Sequence, residues 1–321
     1  MMIRGVEIIP TYRCNLKCKF CYNKNHLYNE KEITLEEIKN IIKQVNIPLL
    51  RLFKLPYFVL VGGELFIRED ALEILETICK TNLCCISTNG TLLNEKICKR
   101  LVDIKLHTII FSIDGIGKTN DKIRGKGVFN KIVKNVKLLR SIREKHPKII
   151  FNTTVTKENL EDVPKIIELG KKLKIDKIQL GALVSLNKRY TEFDIKETDL
   201  YKMNAPNRIN PESMMKVFKD VRGVDANNLK IRFAPPCSEA EMIDWYNLKF
   251  NIKNWKCDYP MRVLRINPYG YVYPCLNMEM GNIRKEPINN IWNSGKFKNF
   301  RNRIKKGIVP ACAMCCNSEL K

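Results

Sequence analysis

The stretch Thr11-Tyr-Arg-Cys14-Asn-Leu-Lys-Cys18-Lys-Phe-Cys21-Tyr22 sets three cysteines at C-x3-C-x2-C spacing. Three thiolates hold three corners of a cubane [4Fe-4S] cluster and leave the fourth iron open to a substrate or cofactor; a fourth cysteine would close it. In a 321-residue chain with 13 cysteines this spacing rarely arises by chance. A structural zinc knuckle is the alternative, with His26 available as a fourth ligand. The residues just ahead, Gly5-Val-Glu-Ile-Ile-Pro10, read as a strand, so the cysteine loop leaves the C-terminal end of a first strand.

With 45% apolar residues the chain can bury a full core and add a smaller second domain. No apolar run is long enough to cross a bilayer, and Met1-Met-Ile-Arg-Gly-Val lacks a signal-peptide layout. A cytoplasmic location is expected, where clustered cysteines mean metal or redox centres rather than disulfides. The net charge of +23 invites a nucleic-acid reading, but lysine is spread along the whole chain, so most of the charge reads as solvated surface. In the dense stretch 296–306, Phe297, Phe300 and Ile304 share one helical face with the cations elsewhere, the pattern of an amphipathic surface helix. RNA binding is the minor alternative there.

Strand-like and helix-like blocks alternate over the first two-thirds. Strands are expected at 5–10, 57–61, 83–87, 107–113, 149–155 and 177–180. Helices are expected at 34–45 (opened by the capping box Thr34-Leu-Glu-Glu37), 71–80, 94–103, 128–145 and 160–173. Such repetition argues for α/β architecture, a parallel sheet curved into a partial (β/α)6 TIM-like barrel, with chemistry at the C-terminal strand ends. The expected organisation is a barrel over 1–190, a Pro-punctuated linker with a helix near 211–221 over 191–250, and a small cysteine-rich domain over 251–321.

Four further segments fall at strand ends: Val61-Gly62-Gly63-Glu64, Ser87-Thr88-Asn89-Gly90, Ser112-Ile-Asp114-Gly115 followed by Asp121 and Arg124-Gly125, and Asn152 with Thr154. Each alone is an ordinary turn or a satisfied strand-end polar group. Together with the cysteine loop, in this order, they resemble the motifs of the radical S-adenosylmethionine (radical SAM) enzymes, over residues 6–183. The resemblance implies a SAM-binding [4Fe-4S] cluster on Cys14, Cys18 and Cys21, with SAM on the open iron. It places Gly62, Gly63 and Glu64 at the SAM ammonium, where a glycine pair lets backbone approach a ligand. It places Ser87, Asn89, Ser112, Asp114, Asn152 and Thr154 as cofactor contacts and Arg124 at the SAM carboxylate. Phe20 and Tyr22 would flank the cluster near the adenine, with core packing the equal alternative for Phe20. The chain departs from the family pattern at Leu65, where proline is usual.

A second cysteine group follows: Cys257, twelve residues, Gly270, four residues, Cys275, then Cys312-Ala-Met-Cys315-Cys316. Asn267-Pro-Tyr-Gly270-Tyr-Val-Tyr reads as a hairpin with Gly270 in its turn. The group resembles SPASM/Twitch extensions, which carry auxiliary iron–sulfur clusters. With the sequence stopping at Lys321, the count implies the shorter Twitch form with one auxiliary [4Fe-4S] cluster on Cys257, Cys275, Cys312 and Cys315, or Cys316 in place of Cys315. Four thiolates close a cluster, which suits electron transfer; a four-cysteine zinc ribbon is the alternative. Cys79, Cys84, Cys85 and Cys98 read as buried apolar residues, and Cys237 has no assigned role.

The resemblance implies an oxidoreductase that reductively cleaves SAM to a 5′-deoxyadenosyl radical and oxidatively modifies a substrate, the auxiliary cluster accepting the electron. A peptide or protein side chain is the expected substrate; a small-molecule dehydrogenation or a cofactor-biosynthetic step is the alternative. The basic composition suits an acidic leader peptide, whereas the sequence shows no spare N-terminal domain to grip one. A ferredoxin or flavodoxin is the expected electron donor. A non-enzymatic iron–sulfur carrier or zinc-dependent RNA-binding protein would need no residues for SAM at the strand ends. The sequence identifies no catalytic base and no catalytic residue beyond the cluster.

Overall fold

The computed structural model describes residues 2–21, 23, 30–46, 55–183, 207–223, 229–249, 251–275, 278–313 and 315–321. The first part runs β1 (Gly5–Ile8), α1 (Leu35–Val45), β2 (Tyr57–Leu60), α2 (Ala71–Cys79), β3 (Cys84–Thr88), α3 (Glu95–Asp103) and β4 (Thr108–Ser112). It continues through α4 (Lys118–Arg124), α5 (Val128–Ile142), β5 (Lys148–Val155), α6 (Val163–Lys172) and β6 (Lys177–Ala182). Strands β1 to β6 lie side by side in chain order, all parallel, with helical crossovers: the α/β partial (β/α)6 barrel. Each strand alternates. In β5, Ile149, Phe151 and Val155 are fully buried under the helices, while Ile150, Asn152 and Thr154 face the other, concave side.

Helix α1 starts where the sequence places it: the Thr34 hydroxyl accepts from Glu37 N and the Glu37 carboxylate accepts from Thr34 N. The expected helix at 128–145 is preceded by a separate one, α4. Gly125, at φ +130°, ends it, and the Asp121 carboxylate then accepts from Gly127 N and Phe129 N to start α5.

The stretch read as a linker also holds structure: α7 (Pro211–Gly223), β7 (Lys230–Ala234) and α8 (Glu239–Tyr246). Strand β7 pairs parallel with β6 and extends the barrel sheet. Its partner contact is on the helix side, where Phe233 meets Phe218 of α7 edge to face at 5.4 Å. Only five residues, two of them cations, before Pro235-Pro236 hide such an edge strand in the sequence.

The C-terminal part comprises β8 (Trp255–Lys256), α9 (Tyr259–Arg262), β9 (Val263–Ile266), β10 (Tyr271–Tyr273), β11 (Gly281–Asn282), α10 (Ile288–Asn293), α11 (Gly295–Lys306) and β12 (Glu319–Leu320). Strand β9 pairs parallel with β1, so one ten-stranded sheet runs β11-β10-β9-β1 and on to β7. The β9–β10 hairpin turns at Gly270, whose φ of +81° favours glycine, as the sequence suggests. Helix α11 buries Phe297, Phe300 and Ile304, but Arg301 joins that apolar face, contrary to the expectation that its cations lie elsewhere. The guanidinium lies 3.9 Å from the Trp292 ring centre and 4.0 Å from that of Phe297. It donates to Pro260 O at 2.9 Å and Trp292 O at 2.7 Å, fixing α9, α10 and α11 together.

Arg301→Leu leaves those two buried carbonyls unpaired, so the urea midpoint should fall by the equivalent of about 2–4 kcal/mol. A loss within about 1 kcal/mol would mean the guanidinium does not pin this region.

Candidate active site

The cysteine loop is clamped by β2 and its exit. Gly63 N donates to Thr11 O and Glu64 N to Arg13 O, both at 2.9 Å, so residues 61–64 run alongside 8–13. A Cβ on Gly63 would lie 2.1 Å from Arg13 O, and one on Gly62 2.4 Å from Ile9 Cγ2. The glycine pair is therefore required by the approach of the cysteine loop itself, in addition to any approach of a ligand. On its other side the loop is tied to the β3 exit: Asn89 Nδ2 donates to Asn15 Oδ1 at 2.8 Å, and Asn15 Nδ2 to Thr91 Oγ1 at 2.9 Å. Lys19 N donates to Ile123 O at 2.9 Å, and the Lys19 ammonium pairs with Glu158 at 3.1 Å. Asn15, Thr91, Lys19 and Glu158 carry no motif signal in one sequence, and the reading missed them.

Cys14, Cys18 and Cys21 lie within electrostatic reach of one another. Burial first pushes Cys14 and Cys18 up from the ordinary thiol range; Glu64 and then Cys21 add to it at Cys14, and Cys21 and Cys14 at Cys18, where Arg124 opposes it. Among the described residues no three such side chains are closed onto a common point. The donors around them suit a charged sulfur: Leu16 N at 3.4 Å and Asn89 Nδ2 at 3.8 Å from Cys14 Sγ, and Arg124 Nη1 at 3.9 Å from Cys18 Sγ.

Glu64 is 1% exposed, and its carboxylate accepts from Thr88 Oγ1 and Asn89 N at 2.8 Å and from Phe66 N at 3.4 Å. It holds the β2 and β3 exits together. Leu65, the departure from proline, is 3% exposed and fills the core. Asp114 is fully buried; Thr154 N donates to its Oδ1 at 2.7 Å, and Arg124 Nη2 lies 2.5 Å from its Oδ2. Burial raises the Asp114 pKa from the usual carboxylate range, and Arg124 opposes that shift. Asp114 thus orients Arg124 between the β4 exit and Cys18. Ser87, Ser112, Asn152 and Thr154 are half-buried on the concave face, with Ser112 and Asn152 opposite each other in register. Phe20 is half-buried, and Tyr22 lies outside the described residues.

The second thiol group forms where three segments meet. Pairing of β8 with β12 sets Cys257 beside the chain end, and Cys257 Sγ lies 3.6 Å from Asn317 O. Cys257 and Cys275 each lie within electrostatic reach of Cys312 and Cys315. Burial raises both thiols, Cys257 to about 12. Cys316, a free thiol like Cys315, shares a side-chain hydrogen bond with it and lies within electrostatic reach of Glu7 and Arg265. Arg265 joins this group to β1: Nη1 donates to Cys275 O at 2.9 Å and Nη2 pairs with Glu7 at 2.6 Å. Tyr259 donates to the other Glu7 oxygen at 2.5 Å. Cys312 is buried and Cys257, Cys275 and Cys315 are half-buried; thiols gathered this way repel as thiolates, a cost that a bound metal cluster would remove, so the donor set fits an iron–sulfur cluster.

The family model "Radical SAM superfamily" matches residues 8–170, and "Iron-sulfur cluster-binding domain" (SPASM) matches 257–316. Fe-coproporphyrin III synthase of Methanosarcina barkeri is 35% identical over 177 residues, 54% of this chain; the chain spans only 42% of that relative's length. AdoMet-dependent heme synthase of the same organism is 27% identical over 95% of this chain and 86% of that protein. The structure of Streptococcus suis SuiB bound to S-adenosylmethionine superposes with TM-score 0.69 at 18% identity, covering 94% of this chain and 68% of that one; this is a likeness of fold. The chain belongs to the radical SAM superfamily and carries a C-terminal SPASM domain. It is an enzyme whose cofactors are SAM, a SAM-binding [4Fe-4S] cluster and auxiliary iron–sulfur.

Gly63→Ala must displace the cysteine loop, since backbone cannot yield to a Cβ at 2.1 Å. Reconstituted Gly63→Ala should therefore keep the auxiliary iron and lose about four irons from the loop; full iron content would show that the loop tolerates the shift.

Proposed function

We propose that this radical SAM enzyme oxidises an acidic small molecule of the cofactor-precursor kind, using one auxiliary [4Fe-4S] cluster as the electron acceptor. The observation that supports it is the β1–β9 pairing, which puts both thiol groups on one sheet, joined through Glu7 and Arg265. Relatives named as heme, porphyrin and GTP-cyclising enzymes support a small-molecule substrate. A peptide substrate is the second reading, favoured by the basic composition, which would suit an acidic leader.

In this reading Cys14, Cys18 and Cys21 hold the SAM cluster, and Cys257, Cys275, Cys312 and Cys315 the auxiliary one, Cys316 remaining outside. Bound there, the cluster and SAM would supply radical chemistry able to remove a hydrogen atom from an unactivated carbon. The protein's part is to orient and to exclude water. Arg124, held by Asp114, would meet the SAM carboxylate, and the backbone of Gly62, Gly63 and Glu64 its ammonium. Asn89 secures the loop, while Ser87, Ser112, Asn152 and Thr154 line the concave side against the nucleoside and the substrate. Phe20 packs beside the cluster, and Tyr22 is proposed to do the same. A ferredoxin or flavodoxin is the proposed electron donor. No described helix is long and apolar enough to cross a membrane, and a cytoplasmic setting fits the oxygen-sensitive clusters.

After anaerobic reconstitution the enzyme should hold about eight irons and release 5′-deoxyadenosine from SAM under reduction. Cys18→Ala should abolish that release; Cys275→Ala should lose about half the iron and still cleave SAM. Zinc in place of iron, or release unaffected by Cys18→Ala, would refute the reading.

A further inference from the structure

The concave face carries several buried or partly buried acids, and each is compensated from within. Glu7 is held by Arg265 and Tyr259, Asp114 by Arg124, and Glu64 by Thr88 and two backbone N–H groups. At the far edge of the same face the balance is reversed. Lys177 on β6 stands opposite Lys230 on β7, and Gln179 opposite Arg232. Register partners on parallel strands share a face, and alternate residues along a strand share it too. The opposite face is fixed by fully buried Ile178 and Leu180 and by Phe233 against Phe218. Lys177, Lys230 and Arg232 therefore all look to the concave side.

That Lys177 reaches inward is shown independently. It interacts with Cys85 on β3, although β4 and β5 lie between them in the sheet, so the two approach across the curve. Burial, then the Arg232 charge, push the Lys177 ammonium down from its ordinary range. Among the described residues no carboxylate forms an ion pair with any of the three cations. Lys177 is half-buried while Lys230 and Arg232 are exposed, and like charges gathered on one face repel one another, a cost that a bound anion relieves. In register beside them run Gln179, Asn152 and Ser112, neutral hydrogen-bonding groups leading across the face toward β4.

We propose that Lys177, Lys230 and Arg232 form an anion subsite that grips an acidic group, carboxylate or phosphate, of the substrate. The polar row Gln179–Asn152–Ser112 then leads the rest of the molecule toward the cysteine-loop side. The inference rests on the proposed reading for taking this face as the substrate side. It deepens that reading by requiring a substrate with at least one terminal anion.

The test is calorimetric titration of the reconstituted protein, under anaerobic conditions at physiological salt, with pyrophosphate in one arm and glutarate in the other. Saturable binding of at least one probe is expected, and which arm responds separates phosphate from carboxylate. Lys177→Met/Arg232→Met should weaken it about tenfold or more, and Lys177→Arg/Arg232→Lys should retain it. Lys296→Met/Lys298→Met, on exposed positions of α11, removes the same charge and should leave binding unchanged. Circular dichroism and iron content confirm that each variant is folded and loaded. Failure of both probes to saturate, equal weakening in the control variant, or full binding by Lys177→Met/Arg232→Met would overturn the subsite. Iron counting and SAM cleavage decide the underlying reading separately, so the two failures are distinguishable.

Discussion

Strand β1 is hydrogen-bonded along both edges, to β2 on one side and to β9 on the other. This double pairing fixes four residues of backbone, and the next few carry it into the cysteine loop. Ile9 N donates to Ile266 O at 2.8 Å and Val61 N to Ile8 O at 3.1 Å, so the loop starts from a position set by both halves of the chain. The same pairing brings Arg265 opposite Glu7. A shift of β9 by one residue would turn Arg265 to the helix face and leave Glu7 buried without a cation. The barrel and the C-terminal cysteine region are therefore held in one register by charge as well as by hydrogen bonds.

Electrostatics divides the site into parts the protein completes and parts it leaves open. Asp114, Glu64 and Glu7 are each closed by partners from neighbouring segments, and these pairings fix loops. Arg124 is different, because its guanidinium spans from Asp114 to the Cys18 sulfur. The thiol groups are open in a second sense: burial raises Cys14, Cys18, Cys257 and Cys275 from the ordinary thiol range, and a cluster would take them as thiolates. Both kinds of openness are what a site for charged cofactors requires.

Much of this architecture was legible in the sequence. The strand–helix alternation gave six strands in chain order, and the capping box at Thr34 and the turn at Gly270 lie where their residue types put them. The two cysteine groups were legible because metal ligation needs particular spacings. What escaped had no local pattern. Strand β7 is a short edge strand whose lysine and arginine read as surface. Arg301 reads as one more cation on a basic helix until tertiary packing sets it between Trp292 and Phe297. The pairing of β9 with β1 joins residues some 250 positions apart, beyond any periodicity argument. Gly63 was read for ligand approach alone, and the carbonyl of Arg13 against it is a second demand for glycine that no local pattern shows.

The central claim is that the cluster on Cys14, Cys18 and Cys21 has an open iron for SAM, while the auxiliary cluster is closed. Electron paramagnetic resonance of the reduced, reconstituted protein, recorded with and without SAM, tests this directly. The account predicts two overlapping [4Fe-4S]⁺ signals, of which SAM shifts one and leaves the other unchanged. Signals that are both indifferent to SAM, or a single signal that does not move, would contradict it.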